Sequence, residues 1–171
     1  MSSGQRTGTG ARTRTRWLDH DQQHSWRAYV LGTTLLLDRL DRELRDAHDI
    51  SLTEYEVLVR LSEQPGRKMR MAVLAEAMCY SRSRVTHTIA RMERAGLVER
   101  AQTDDDRRGV EAVMTRQGRR RLEQAAPTHV AGVREHLVEH ASDADFAAVG
   151  RVFDEVSDHL MAWVPAAADI R

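Results

Sequence analysis

With 171 residues, of which 41% are hydrophobic, 5% aromatic and 30% charged, the chain has the size of one domain or of one compact subunit in an oligomer. No run approaches the ~18 apolar residues of a membrane span, the single cysteine (Cys79) cannot form an internal disulfide, and the Arg-rich start lacks the apolar core of a secretory signal. An integral membrane protein spanning by such runs, a disulfide scaffold and a collagen-like chain are thereby excluded, and a cytoplasmic location is expected.

The net charge of zero conceals a segregation. Residues 1–16 carry +4, residues 17–65 carry −5, residues 66–121 carry +7 from fourteen basic and seven acidic side chains, and residues 122–171 carry −6. A basic middle between acidic flanks predicts one positive working face that attracts phosphate or another polyanion.

Residues 1–16, built of Arg, Thr, Gly and Ser, have no periodicity and read as a disordered basic tail. From Trp17 to about Ala47 the pattern is helical, with Trp26, Val30, Thr33, Leu37, Leu40 and Leu44 at spacings of three and four. Ser51-Leu52-Thr53-Glu54 is a capping box opening a second helix, which Pro65-Gly66 closes. Met71 to Met78 reads as a short helix with Val73, Leu74 and Met78 inward, followed by a tight Cys79-Tyr80 connector. Ser81 caps the next helix, which runs to Ala95 with Gly96 at its C′ position; Val85, Ile89 and Met92 point to the core.

After Gly96 the period shortens. Leu97–Arg100 and Val110–Met114 read as two strands of a hairpin whose tip, Thr103–Gly109, is charged. Thr115 caps a further helix with Leu122, Ala126, Val130, Val133 and Leu137 as its stripe and Pro127 as a kink or restart. Ser142 caps the last helix, in which Phe146, Val149, Phe153, Val156, Leu160 and Trp163 form a heptad seam. The fold expected is mainly α with a small β wing.

Short helix, tight turn, polar-faced helix and hairpin are the grammar of a winged helix-turn-helix. The helix at 81–96 buries one stripe and leaves Arg82, Ser83, Arg84, Thr86, His87 and Arg91 on its outer faces. Arginines suit phosphates and guanine edges, while Thr86 and His87 offer methyl contact and hydrogen bonds to bases. Ser81 and the first-turn N–H groups suit a phosphate. Arg107 and Arg108 at the hairpin tip suit a narrow minor groove.

Ser81–Thr86 and Arg91–Arg100, with Asp106-Arg107-Arg108-Gly109-Val110 and Met114-Thr115, resemble the recognition helix and wing of MarR-family regulators. The resemblance runs from about Trp26 to Trp163. It implies an obligate homodimer that binds a pseudo-palindromic double-stranded DNA operator and controls transcription, most often as a repressor relieved by a small anionic or phenolic ligand or by oxidation. By matching position, Asp106 would orient the wing and Arg108 would enter the minor groove. Family wings often read Asp-Pro-x-Asp, where this chain has Thr103-Asp104-Asp105-Asp106. The division implied is a tail at 1–16 and a single MarR-like subunit at 17–171, with dimerisation helices at about 17–48 and 116–163 and a winged helix-turn-helix at about 51–115.

Weaker patterns carry alternatives. Trp26, Arg27 and Tyr29, with Tyr55, are candidates for a pocket that takes an aromatic carboxylate or phenolate. Cys79, just before the recognition helix, is a redox candidate, although a small buried turn residue is the favoured reading. His136 and His140 stand four apart, with His129 one heptad back, and read as solvated helix face rather than metal ligands. Neither a metal nor another cofactor is expected, and no catalytic motif is present. A redox- or metal-sensing regulator of the same fold, or a DNA-compacting protein without an operator, are the competing functions.

Overall fold

The computed structural model describes residues 15–103 and 109–161. Backbone contacts divide the chain after Thr34 into two units. The first contains the start of α1 (His20–His48). Helix α1 begins three residues later than the periodicity suggests because Asp19 caps it. The Asp19 carboxylate accepts the Gln22 N–H at 2.8 Å, and the Gln22 side-chain oxygen accepts the Asp19 N–H at 3.1 Å. Within this unit Trp17, Leu18, Trp26, Tyr29, Val30 and Leu31 are all exposed.

The second unit opens with the remainder of α1 and continues with α2 (Leu52–Ser62) and a 3-10 turn at Pro65–Arg67. Strand β1 (Lys68–Arg70), α3 (Met71–Ala77) and α4 (Arg82–Arg94) follow, then β2 (Val98–Gln102), β3 (Val110–Met114) and α5 (Arg116–His136). A second 3-10 turn at Val138–His140 leads into α6 (Asp143–Met161). The capping box of α2 is formed in full, and Ser81 and Thr115 cap α4 and α5 by accepting the Arg84 and Gly118 N–H groups.

One core joins helices α1 to α5 and the three strands. Leu44, Ile50, Leu58, Leu61, Leu74, Val85, Ile89, Met92, Leu97, Val98, Ala112 and Ala125 are buried together. The sheet is antiparallel in the order β1-β3-β2, with Val98 opposite Met114 and Lys68 opposite Val113. Strand β1 adds a third member to the expected hairpin. At three residues, with only Met69 turned inward, it is too short to show a period of two.

Three expectations need correction. Val73 points outward, and its neighbour Ala75 fills the core beside Leu74. Helix α5 runs on through Pro127 without restarting. Its buried positions are Gly118, Ala125 and Gly132 rather than the larger residues at 122–137, and Val130 is exposed. Small residues at a spacing of seven leave room for other elements: a Cβ on Gly132 would meet Glu43 Oε2 at 2.5 Å and Leu40 Cδ2 at 2.8 Å, so side chains of α1 pack directly on α5 there.

No side chain of α6 is buried by the chain itself. Phe146, Val149, Val156 and Leu160 of the predicted seam are exposed and Phe153 is half-buried. Trp163 lies outside the described residues.

Candidate nucleic-acid interface

The site is built on the turn between α3 and α4. Helix α3 ends in a Schellman motif, with the Cys79 N–H donating to the Glu76 carbonyl and the Tyr80 N–H to the Ala75 carbonyl, both at 2.9 Å. Cys79 occupies the left-handed C′ position at φ +52°, where glycine is the usual residue. Ser81 then returns to extended backbone and starts α4. A second Schellman motif ends α4: the Gly96 N–H donates to Glu93 and the Leu97 N–H to Met92, with Gly96 at φ +69°.

Between these stops, Val85, Thr88, Ile89 and Met92 are buried. Ser81, Arg82, Ser83, Arg84, Thr86, His87 and Arg91 are exposed. Two of the arginines are held in place. The Arg84 guanidinium lies 3.6 Å above the Tyr80 ring centre, a cation–π contact that binds the start of α4 to the turn before it. Arg91 donates from Nε to Glu54 Oε1 at 2.7 Å and from Nη2 to the Ser51 hydroxyl at 3.4 Å.

Glu54 itself is buried, and its other carboxylate oxygen accepts the Ser51 N–H and hydroxyl, each at 2.8 Å. Burial alone would raise its pKa. The Ser51 N–H, the Arg91 guanidinium and the Ser51 hydroxyl outweigh burial and hold the carboxyl below its usual range. Asp41 makes a parallel link. It accepts Arg45 Nε at 2.6 Å and the Leu52 N–H at 2.8 Å, and these contacts lower its pKa despite burial. The capping box is legible in sequence, but the second use of Glu54, on a partner 37 residues away, is not.

The hairpin is tied to α4 at its base. Arg100 donates to the Thr86 carbonyl at 3.2 Å and pairs with Glu93 at 3.6 Å. The Thr103 N–H donates to the Gly109 carbonyl at 3.1 Å, closing the loop. Asp106, Arg107 and Arg108 lie outside the described residues.

The predicted pocket residues fall in both units. In the first, the Trp26 and Tyr29 rings are 5.8 Å apart and exposed, as is Arg27. In the second, Tyr55 is buried with its ring 4.5 Å from that of His129. These two line a cavity of about 480 Å³ together with Glu56, Val59, Arg60 and the turn residues Ala77–Tyr80. Burial pushes the Tyr55 phenol and the Glu56 carboxyl up and the His129 imidazole down, so each is shifted toward its neutral form. The Nδ1 of His129 is buried without a hydrogen-bond partner among the described residues.

Cys79 lines this cavity and is exposed, contrary to the buried residue expected. His136 is also not solvated: it is half-buried and 2.8 Å from Glu43, whose carboxyl it holds below the usual range. No group of side chains able to hold a metal ion occurs among the described residues, and no described helix is long and apolar enough to cross a membrane.

The model of the MarR family matches residues 50–110. Among solved structures, AbsC, a MarR family transcriptional regulator from Streptomyces coelicolor, is 38% identical with a TM-score of 0.82, over 86% of this chain and 99% of its own. Sco3205, a MarR family regulator of the same organism crystallised in complex with DNA, is 35% identical with a TM-score of 0.81, over 84% and 94%. A MarR-like regulator from Bacillus cereus, 22% identical over 83% of this chain and 99% of its own, shares the fold with a TM-score of 0.70. No curated protein sequence matches the chain. With an α4 that is basic on its exposed face and capped at both ends, a hairpin anchored to it and two relatives above 30% identity along nearly their whole length, the chain belongs to the MarR family of winged-helix transcriptional regulators.

Proposed function

We propose that the protein is a homodimeric repressor that grips a pseudo-palindromic operator and is released by a small aromatic or phenolic ligand. The observation that carries this reading is α4, which buries Val85, Ile89 and Met92 while Arg82, Ser83, Arg84, Thr86 and His87 stay exposed. A helix in the major groove needs that division of faces. Ser81 to Arg91 hold the base and phosphate contacts, with Asp106, Arg107 and Arg108 serving the minor groove. The DNA complex of the 35% identical Sco3205 supports the partner.

In the division we adopt, residues about 51–115 are the DNA-binding part and helices at about 17–48 and 116–163 the dimerisation part. The exposed apolar side chains of α6 support the second assignment. For release, we place the ligand against Tyr55 in the 480 Å³ cavity, whose wall includes the Ala77–Tyr80 turn. A ligand there presses on the residues that set the start of α4, and the Tyr55 and His129 rings suit an aromatic body.

The test is binding of the purified protein to DNA from its own upstream region and to random DNA, at matched salt, with and without salicylate. Preference of about 10³-fold or more for one sequence, weakened by salicylate, is expected. Specific binding indifferent to salicylate removes the aromatic-acid effector. If DNA chosen by selection from random sequences also binds no better than random DNA, the reading gives way to a compacting protein.

A further inference from the structure

A second cavity, of about 380 Å³, lies between the start of α2 and the middle of α4. It is lined by Arg45, Ser51, Thr53, Arg84, His87, Thr88 and Arg91. We propose that it binds the doubly coordinating oxygens of a phosphate group, and that Arg45 at the end of α1 and Thr53 on α2 are contacts of the protein to nucleic-acid backbone. The proposal rests on the DNA-binding reading and extends it to residues outside the recognition helix and wing.

Three arginines and three hydroxyls line it, of which the Ser51 hydroxyl already donates to Glu54, and guanidinium and hydroxyl donors are what tetrahedral oxyanions require. Asp41 and Glu54 balance the charges of Arg45 and Arg91 while orienting them, so the net positive charge comes from Arg84 and the two paired arginines contribute directed N–H donors. Asp41 takes Nε and Nη2 of Arg45, and Glu54 takes Nε of Arg91 while Ser51 takes its Nη2. The Nη1 groups of both arginines have no partner among the described residues. Two guanidiniums thus stand fixed by their inner edges with outer N–H groups left over, and Arg84 is fixed by the Tyr80 ring. Such preorganisation lowers the ordering cost of binding an anion.

Most of the main chain at the start of α2 is not available to an anion. Its Ser51, Leu52 and Glu54 N–H groups are already taken by Glu54, Asp41 and Ser51. The position also fits a backbone contact. Arg84, His87 and Arg91 bring α4 to the cavity, so a strand bordering the groove that α4 enters passes its rim. A phosphate seated there fixes the register of α4 without reading a base.

The experiment measures Kd for selected and random duplexes across a salt series, using the full chain and the variants Arg45→Gln, Arg45→Lys and Thr53→Val, with thermal unfolding as a folding control. Arg45→Gln should weaken both duplexes about equally, by roughly 5- to 10-fold per protomer engaged, and reduce the slope of log K against log salt by about 0.9 per phosphate lost. Arg45→Lys should retain the slope, because it keeps the charge. Thr53→Val, which leaves the Arg45–Asp41 pair intact, should weaken both duplexes by a smaller factor without changing the slope. An unchanged slope and affinity in folded Arg45→Gln overturns the DNA contact while leaving the regulator reading in place. Should the wild-type chain bind no duplex, the regulator reading fails, and titration with inorganic phosphate decides the site: binding lost in Arg45→Gln sustains it as a free-anion site, and no binding overturns it.

Discussion

Cys79 is in a conformation that its side chain does not favour. A residue with a Cβ at φ +52° costs roughly 1 kcal/mol against glycine, and the Schellman hydrogen bonds at the end of α3 hold it there. Cys79→Gly is therefore expected to raise stability by about 1 kcal/mol in urea unfolding; a loss of stability would mean that the thiol makes a packing contribution larger than the strain. His129 gives a prediction in pH. Burial holds its imidazole below the ordinary 6.5, so the unfolded chain takes up the proton first. Its contribution to stability is complete above pH 6.5 and declines as pH falls from 6.5 toward the folded-state value. His129→Phe keeps a ring against Tyr55 and removes the titration, so the variant should lose less stability than wild type between pH 7 and 5. Parallel pH profiles for the two proteins would place the acid sensitivity elsewhere.

At the level of elements, Gly118 decides how α5 leaves the sheet. It is buried in the first turn, and a Cβ there would press on the Leu97 backbone carbonyl, an atom that cannot swing aside. Gly118→Ala should cost about 1–3 kcal/mol, read as a lower urea midpoint with an unchanged slope. An unaltered midpoint would mean that α5 is free to shift away from β2. The helix limits around this point were legible in sequence because local residues set them: Ser51, Ser81, Thr115 and Ser142 each cap with their own hydroxyl, and Gly96 takes its positive φ without strain. What was not legible is long-range. Strand β1 exists only because β3 lies beside it, and the small buried stripe of α5 makes sense only once α1 crosses at Gly132. For the same reason the outward face of α4 could be read from its periodicity, whereas the tie from Arg91 to Glu54 and the company of Tyr55 and His129 required the fold.

For the whole molecule, charge and apolar surface divide the labour. The +7 block at 66–121 contains α4 and both hairpin strands, while the −6 block at 122–171 contains α6. An acidic helix repels DNA, so its exposed Phe146, Val149, Val156 and Leu160 call for an apolar partner instead, and a second copy of the chain supplies one under the dimer reading. Two recognition helices on one operator are then coupled by effective concentration, which multiplies the affinity of either alone. Val156→Asp places a charge in the middle of that seam without touching the buried core. The wild-type protein should sediment at twice the 19.4 kDa mass of the chain and the variant at or near the single mass at low micromolar concentration. Circular dichroism should retain the helical signal, because no α6 side chain is buried by its own chain. Affinity for the selected duplex should fall by about 10²-fold or more, while that for random DNA falls less. If the variant still sediments at the double mass, α6 lies outside the interface and its apolar face needs another occupant. If it sediments at the single mass yet binds the selected duplex undiminished, one protomer suffices for recognition and the two-half-site operator is wrong.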